Sequence, residues 1–179
     1  IAPGAEVLTY NPFDATNTAS WDDVTAGINE LGSRGAHIIN MSLGVAGNVL
    51  SQEWADIIQS SNIMSNTRHV VFVKAAGNEG VTQDYDINWD NWATNDRILI
   101  VGALGLDGQI ADFSNTPGES CLLVNDVCNE SNKIKYRFLV APGEFLLASD
   151  GDGGVRLVSG TSFAAPLVSG AAALIHTYW

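Results

Sequence analysis

The sequence predicts an α/β fold, a parallel central sheet flanked by helices. Three observations predict it. Short β-rich runs alternate with segments of helical spacing along the 179 residues, the order that builds βαβ units. One run, Val70 to Ala76, is almost continuously apolar, as a strand covered on both faces must be. The composition, 46% hydrophobic and 16% charged, is that of a globular domain with ample core at this length. No segment approaches the continuous 18-residue apolar run of a membrane helix.

The elements follow in order. Val7-Leu8-Thr9-Tyr10 reads as a first strand. Ser20 reads as an N-cap, with Asp22 and Asp23 in the first turn, Val24, Ile28 and Leu31 on one face, and Gly35 as the stop. His37 to Ser42 is the next strand. Leu50, Trp54, Ile57 and Ile58 recur at helical spacing and predict a helix over roughly Ser51 to Ser60. Val70 to Ala76 and Ile98 to Val101 are further strands, and a long helix follows Thr161. Two stretches read as insertions. Thr82 to Arg97 is rich in Asp, Asn and Trp; its carboxylates Asp84, Asp86 and Asp90 could serve calcium, but their spacing is not that of an EF-hand, and a solvated surface loop is the preferred reading. Pro117 to Arg137 exceeds a minimal connection and carries both cysteines.

The formal net charge of −12, with 8 basic residues, argues against nucleic-acid or anionic-membrane partners. Cys121 and Cys128 could close a small disulfide loop in an oxidising compartment or stand as free thiols; no His/Cys cluster provides zinc partners. Asn129-Glu130-Ser131 matches the glycosylation triplet, a short pattern with a high chance rate. No signal peptide opens the sequence, which fits an internal or mature segment.

The richest stretch is Val158-Ser159-Gly160-Thr161-Ser162-Phe163-Ala164-Ala165-Pro166, continued by Leu167-Val168-Ser169-Gly170-Ala171-Ala172-Ala173-Leu174-Ile175. It sets Ser162 at a glycine-flanked turn that opens an Ala-rich helix. There the first N–H groups lack helical acceptors, and developing negative charge is favoured. The same spacing also describes an N-cap on a buried helix, with Pro166 tolerated near the first turn. The full string resembles the nucleophile segment of the subtilisin-like serine proteases. Two further segments carry the resemblance in the same order: Ile38-Ile39-Asn40-Met41-Ser42-Leu43-Gly44, similar to the strand whose end lines the substrate cleft, and Val70-Val71-Phe72-Val73-Lys74-Ala75-Ala76-Gly77-Asn78-Glu79-Gly80, similar to the strand and turn bearing the oxyanion-hole asparagine. Smaller echoes lie at Ile1-Ala2-Pro3-Gly4-Ala5, Ile100-Val101-Gly102-Ala103, Phe113-Ser114-Asn115 and Val140-Ala141-Pro142-Gly143.

The resemblance implies a subtilisin-like three-layer fold, with residues 1–179 forming one partial peptidase domain that is incomplete on its N-terminal side. It implies Ser162 as nucleophile and Asn78 as oxyanion donor beside the Ser162 N–H. Ser42, Leu43 and Gly44 would pair with an extended polypeptide substrate, and Ala75, Ala76 and Gly77 would form one wall of the main specificity pocket. A secreted or cell-envelope location, and a native Cys121–Cys128 disulfide, are the companion expectations.

The departure from the family pattern is an absence. Subtilases place the catalytic Asp and His before the serine, and neither motif is present. His176 lies about 21 Å along the helix from Ser162 at 1.5 Å per residue. His37 begins the strand that ends at Ser42, about 16 Å back. His69 precedes the strand leading to Asn78. All three belong at the end of the sheet away from the site. The expected activity is therefore peptide-bond hydrolysis through Ser162, with the Asp and His supplied from outside this sequence by an N-terminal fragment or chain. Residues 1–179 alone would be inactive. The alternative is a catalytically inactive subtilase-fold module used for binding or assembly. An α/β-hydrolase would need Gly-x-Ser-x-Gly, but Ala164 occupies the last position, and Asn78 disfavours the sedolisins, which use an aspartate there.

Overall fold

The computed structural model describes residues 1–91 and 96–178. Its centre is a four-stranded, all-parallel sheet in the order β1-β2-β4-β6, formed by Ile38–Met41, Val71–Ala75, Ile98–Leu104 and Phe138–Pro142. Two smaller pairings flank it: a parallel pair, β3 (Ile87–Asn88) with β5 (Leu122–Leu123), and an antiparallel hairpin, β7 (Leu146–Ser149) with β8 (Val155–Val158). Helix α1 (Trp21–Ser33), α2 (Gln52–Gln59) and α3 (Ser61–Asn66) cover one face of the sheet, and α4 (Thr161–Tyr178) covers the other.

The strand period of two sorts residues between two cores. Ile39, Met41, Phe72, Ile98 and Ile100 pack against Val24 and Ile28 of α1, Trp54 and Ile58 of α2 and Ile63 of α3. On the other face Val73, Ala75, Val101 and Ala103 meet Ala164 and Ala165 of α4. The small side chains on this second face let α4 lie close to the strands.

Local chemistry explains the boundaries. Ser20 caps α1 by accepting from the Asp23 N–H at 3.1 Å, and Asp22 and Asp23 complement the helix dipole. The helix predicted over Ser51 to Ser60 is Gln52–Gln59; Ser60 then ends it in an extended conformation and caps the separate α3 through a bond from the Ile63 N–H. The strand predicted at Val7 to Tyr10 does not form. A strand needs a neighbouring edge to bond, and none of the described residues provides one there; Val7 is 79% exposed, and the Tyr10 ring instead lies against Gly27 of α1. Pro166 falls in the second turn of α4 and not the first.

Two surfaces are left open. The outer edge of β1 pairs with no described residue. Helix α4 is apolar nearly all round, the pattern of a helix enclosed on all sides, yet only Thr161, Ala164 and Ala165 are fully buried, while Ile175 and Tyr178 are largely exposed.

Candidate active site

Parallel strands end together, and their carboxyl ends are where α/β sheets build sites. Met41 stands opposite Lys74, so the chain leaves β1 at Ser42 and β2 at Ala76 on the same side of the sheet. The start of α4 closes onto both. Asn78 Oδ1 accepts from the Thr161 N–H at 2.7 Å and from Thr161 Oγ1 at 2.9 Å, across 83 positions of sequence. Thr161 Oγ1 also accepts from the Gly77 N–H at 3.1 Å. Ser162 Oγ lies 3.3 Å from the Ser42 carbonyl, to which it donates. The structure thus brings Ser42, Gly77, Asn78, Thr161 and Ser162 into one cluster.

The Asn78 amide is polarised by these bonds. With its oxygen held by Thr161, its nitrogen points elsewhere, and Nδ2 donates to no acceptor among the described residues. The Ser162 N–H, in the first turn of α4, likewise has no acceptor there. Two donors without a described acceptor therefore lie at the start of α4, one on Ser162 itself and one on Asn78 beside Gly160.

The turn that carries Asn78 is shaped by glycine and clamped by side chains. Gly77 has φ +105°, and a Cβ on it would fall 2.2 Å from Asn115 Nδ2, so only glycine fits. Asn115 is fully buried. Its Oδ1 accepts from the N–H groups of Glu79 and Val81, and its Nδ2 donates to the Ala76 carbonyl and to Glu79 Oε2 at 2.7 Å. Burial pushes the Glu79 carboxyl up, but bonds from Asn115 and from the N–H groups of Gly47, Asn78 and Glu79 itself outweigh it and hold the group below its ordinary value. Gly160, at φ +150°, lets the chain pass beside Asn78 before turning into α4.

Ala75 and Ala76 are buried with their side chains in opposite cores, so neither side chain lies on the surface. Beneath them lies Lys74, 1% exposed. Its Nζ donates to the carbonyls of Val49 and Ala75 at 2.9 and 2.8 Å and sits 5.9 Å from the centre of the Trp54 ring. A Cβ on Gly44 would lie 3.1 Å from the same nitrogen, so the amine lies against both Gly44 and Ala75. Burial lowers its pKa to about 7, with Glu79 opposing the shift.

The sequence did not single out Thr161, Asn115, Glu79 or Lys74. Only Lys74 carried a signal, because a lysine within a strand covered on both faces has no exposed side to occupy.

The histidines lie away from this cluster. His37 immediately precedes β1 and His69 lies two residues before β2, and the His37 ring stacks on that of His176 near the end of α4, centroids 4.1 Å apart. Asp84, Asp86 and Asp90 do not gather; no group of three or more His, Cys, Asp or Glu that could hold a metal ion exists among the described residues. Asp86 instead accepts from the Cys121 N–H. Cys121 and Cys128 are joined in a disulfide. Among the described residues no helix is long and apolar enough to cross a membrane.

The carboxyl end of the sheet thus holds a serine at a helix start, with two donors nearby that no described residue accepts from. The sequence matches the subtilase family over residues 1–178, and the chain belongs to that family. It is 30% identical over 179 residues to the major intracellular serine protease of Bacillus subtilis (strain 168), covering 99% of this chain and 49% of that protein. It is 28% identical to a subtilisin of Bacillus sp. (strain TA39), covering 98% of this chain and 41% of that one. Among solved structures, patellamide maturation protease PatA matches with TM-score 0.64 and 31% identity over 90% of this chain and 52% of that one. Sphericase matches with TM-score 0.67 and 25% identity over 98% and 55%. The chain thus spans about half the length of these relatives.

Proposed function

We propose that this chain is the serine-bearing part of a subtilisin-like serine endopeptidase acting on polypeptides. Ser162 Oγ attacks the scissile carbonyl. Its proton passes to a histidine, oriented by an aspartate, both supplied by a segment outside residues 1–179. The tetrahedral oxyanion is held by Asn78 Nδ2 and the Ser162 N–H. Ser42 to Gly44 pairs with the extended substrate backbone, and Ala75 to Gly77 forms one wall of the main pocket. The observation that carries this reading is the polarised Asn78 amide, whose oxygen is bound by Thr161 while its nitrogen, without a described acceptor, lies beside Gly160, two residues before Ser162.

The uncovered flank of α4 and the open edge of β1 support the external origin of the missing groups, because a further layer would cover both. The second reading, an inactive module for binding or assembly, is favoured by the remoteness of all three histidines from Ser162. Peptidase assays decide between them. The reading predicts no turnover by residues 1–179 alone, turnover when the Asp- and His-bearing segment is present, and loss of that turnover in Ser162→Ala. Retained turnover in Ser162→Ala, or none in any form, would sink it. The disulfide supports an oxidising, secreted or cell-envelope setting, whereas two relatives are named as intracellular; thiol titration of the native protein tests the disulfide, with no free thiol expected.

A further inference from the structure

Pro166 occupies the sixth residue of α4. A proline there removes the N–H that would donate to the carbonyl four residues back, and its ring crowds that carbonyl. The carbonyl is that of Ser162. It is not left without a donor: Ser42 Oγ donates to it at 2.8 Å. Ser162 Oγ in turn donates to the Ser42 carbonyl, so two bonds tie the same two residues across 120 positions. The direction of the Ser42 hydroxyl is also set. Asn40 Nδ2 donates to Ser42 Oγ at 2.9 Å, which occupies a lone pair and leaves the proton to point at Ser162. Asn40 Oδ1 lies 2.9 Å from Ser169 Oγ, whose one proton it shares with the Ala165 carbonyl at 3.1 Å, and this contact orients the amide. The chain of bonds leaves α4 at Ser169, crosses β1 and returns to α4 at Ser162.

We propose that the Ser42 hydroxyl, oriented by the Asn40 amide, replaces the helix donor that Pro166 lacks and thereby positions Ser162. An ordinary residue at 166 would bind the Ser162 carbonyl to its own helix. Proline releases it to the sheet, so the serine is registered against Ser42–Gly44, the segment on which the substrate backbone lies. Asn40 and Ser42 are positioning residues through their side chains, separately from the backbone pairing of Ser42. This role rests on Ser162 being the nucleophile.

The test is a double-mutant cycle of Ser42→Ala and Pro166→Ala in the triad-complete protease, with Asn40→Ala and Ser42→Thr alongside. Misplacing a reacting group by about 1 Å costs up to roughly 100-fold. Ser42→Ala should therefore lower kcat about 10- to 100-fold with KM within about twofold, Asn40→Ala should act in the same direction, and Ser42→Thr should retain kcat because it keeps the hydroxyl. Pro166→Ala returns the Ser162 carbonyl to its own helix, so both substitutions act on the same bond and their kcat losses should not multiply: the double variant should be no slower than the slower single variant. Effects on kcat that simply multiply, or a change confined to KM, overturn the proposal while Ser162→Ala remains inactive. A Ser162→Ala variant that still turns over, or no turnover in any form, overturns the functional reading and this role with it. The cycle read as melting temperatures of residues 1–179 needs no turnover. Pro166→Ala should partly offset the loss caused by Ser42→Ala, and strictly additive shifts overturn the bond replacement itself.

Discussion

The buried Lys74 makes stability depend on pH in a way that one substitution removes. Its amine titrates at about 7 in the folded chain, from an ordinary 10.5, because burial disfavours the charged form. Between those two values the unfolded chain binds the proton and the folded chain does not, so stability rises with pH across that window. Below about 7 the folded chain carries the full cost of burying the charge. At 1.36 kcal/mol per pH unit, the lysine contribution changes by about 4 kcal/mol between pH 6 and pH 10. Lys74→Met abolishes that term. It also takes a donor from the carbonyls of Val49 and Ala75, a loss of about 1–3 kcal/mol each that depends little on pH. The variant should accordingly match or exceed the parent at pH 6 and fall below it at pH 10, the difference between the two proteins moving by about 4 kcal/mol. Urea unfolding of both at a series of pH values reads this directly. Parallel stability profiles would refute the reasoning, since they would mean that Lys74 stays charged in the folded chain throughout.

Two further outcomes follow from the turn that carries Asn78. Gly77→Ala demands a Cβ at a positive φ and 2.2 Å from Asn115 Nδ2; it should destabilise by about 2 kcal/mol or more, read as a lowered urea midpoint, and an unchanged midpoint would contradict the geometry. Asn115→Ala removes a donor from the Glu79 carboxylate, so the Glu79 pKa should rise and its share of stability should be lost at a higher pH as acid is added. A carboxyl-carbon NMR titration of Glu79 that does not move would show that the backbone donors alone hold it.

Much of this architecture is legible in the residues because it is local. Ser20 followed by Asp22 and Asp23 announces a cap, and Oγ of Ser20 accepts from the Asp23 N–H. Ser42, Asn78 and Ser162 follow or begin regular elements, and a parallel sheet brings such ends together. What stayed hidden depends on distant partners. Val7 to Tyr10 has the composition of a strand, but a strand is a property of two segments, and the second is not among the described residues. Thr161 looks like a neighbour of the serine until its bonds to Asn78 place it under the amide. Asn115 lies 36 positions from Glu79, and nothing in the intervening chain signals that they meet. Pro166 reads as a defect of the helix until the Ser42 hydroxyl shows where the freed carbonyl is satisfied.

The central claim is that Ser162 is the nucleophile beside an oxyanion site formed with Asn78. The most direct measurement is labelling of the triad-complete protein with an active-site-directed organophosphonate, followed by intact mass and peptide mapping. Such a reagent forms a covalent bond only to a serine activated by a base, and its phosphoryl oxygen occupies the oxyanion position. The account predicts a single adduct on Ser162, none in Ser162→Ala, and a labelling rate reduced by about 100-fold or more in Asn78→Ala. An adduct on another residue, or labelling that persists in Ser162→Ala, would contradict it.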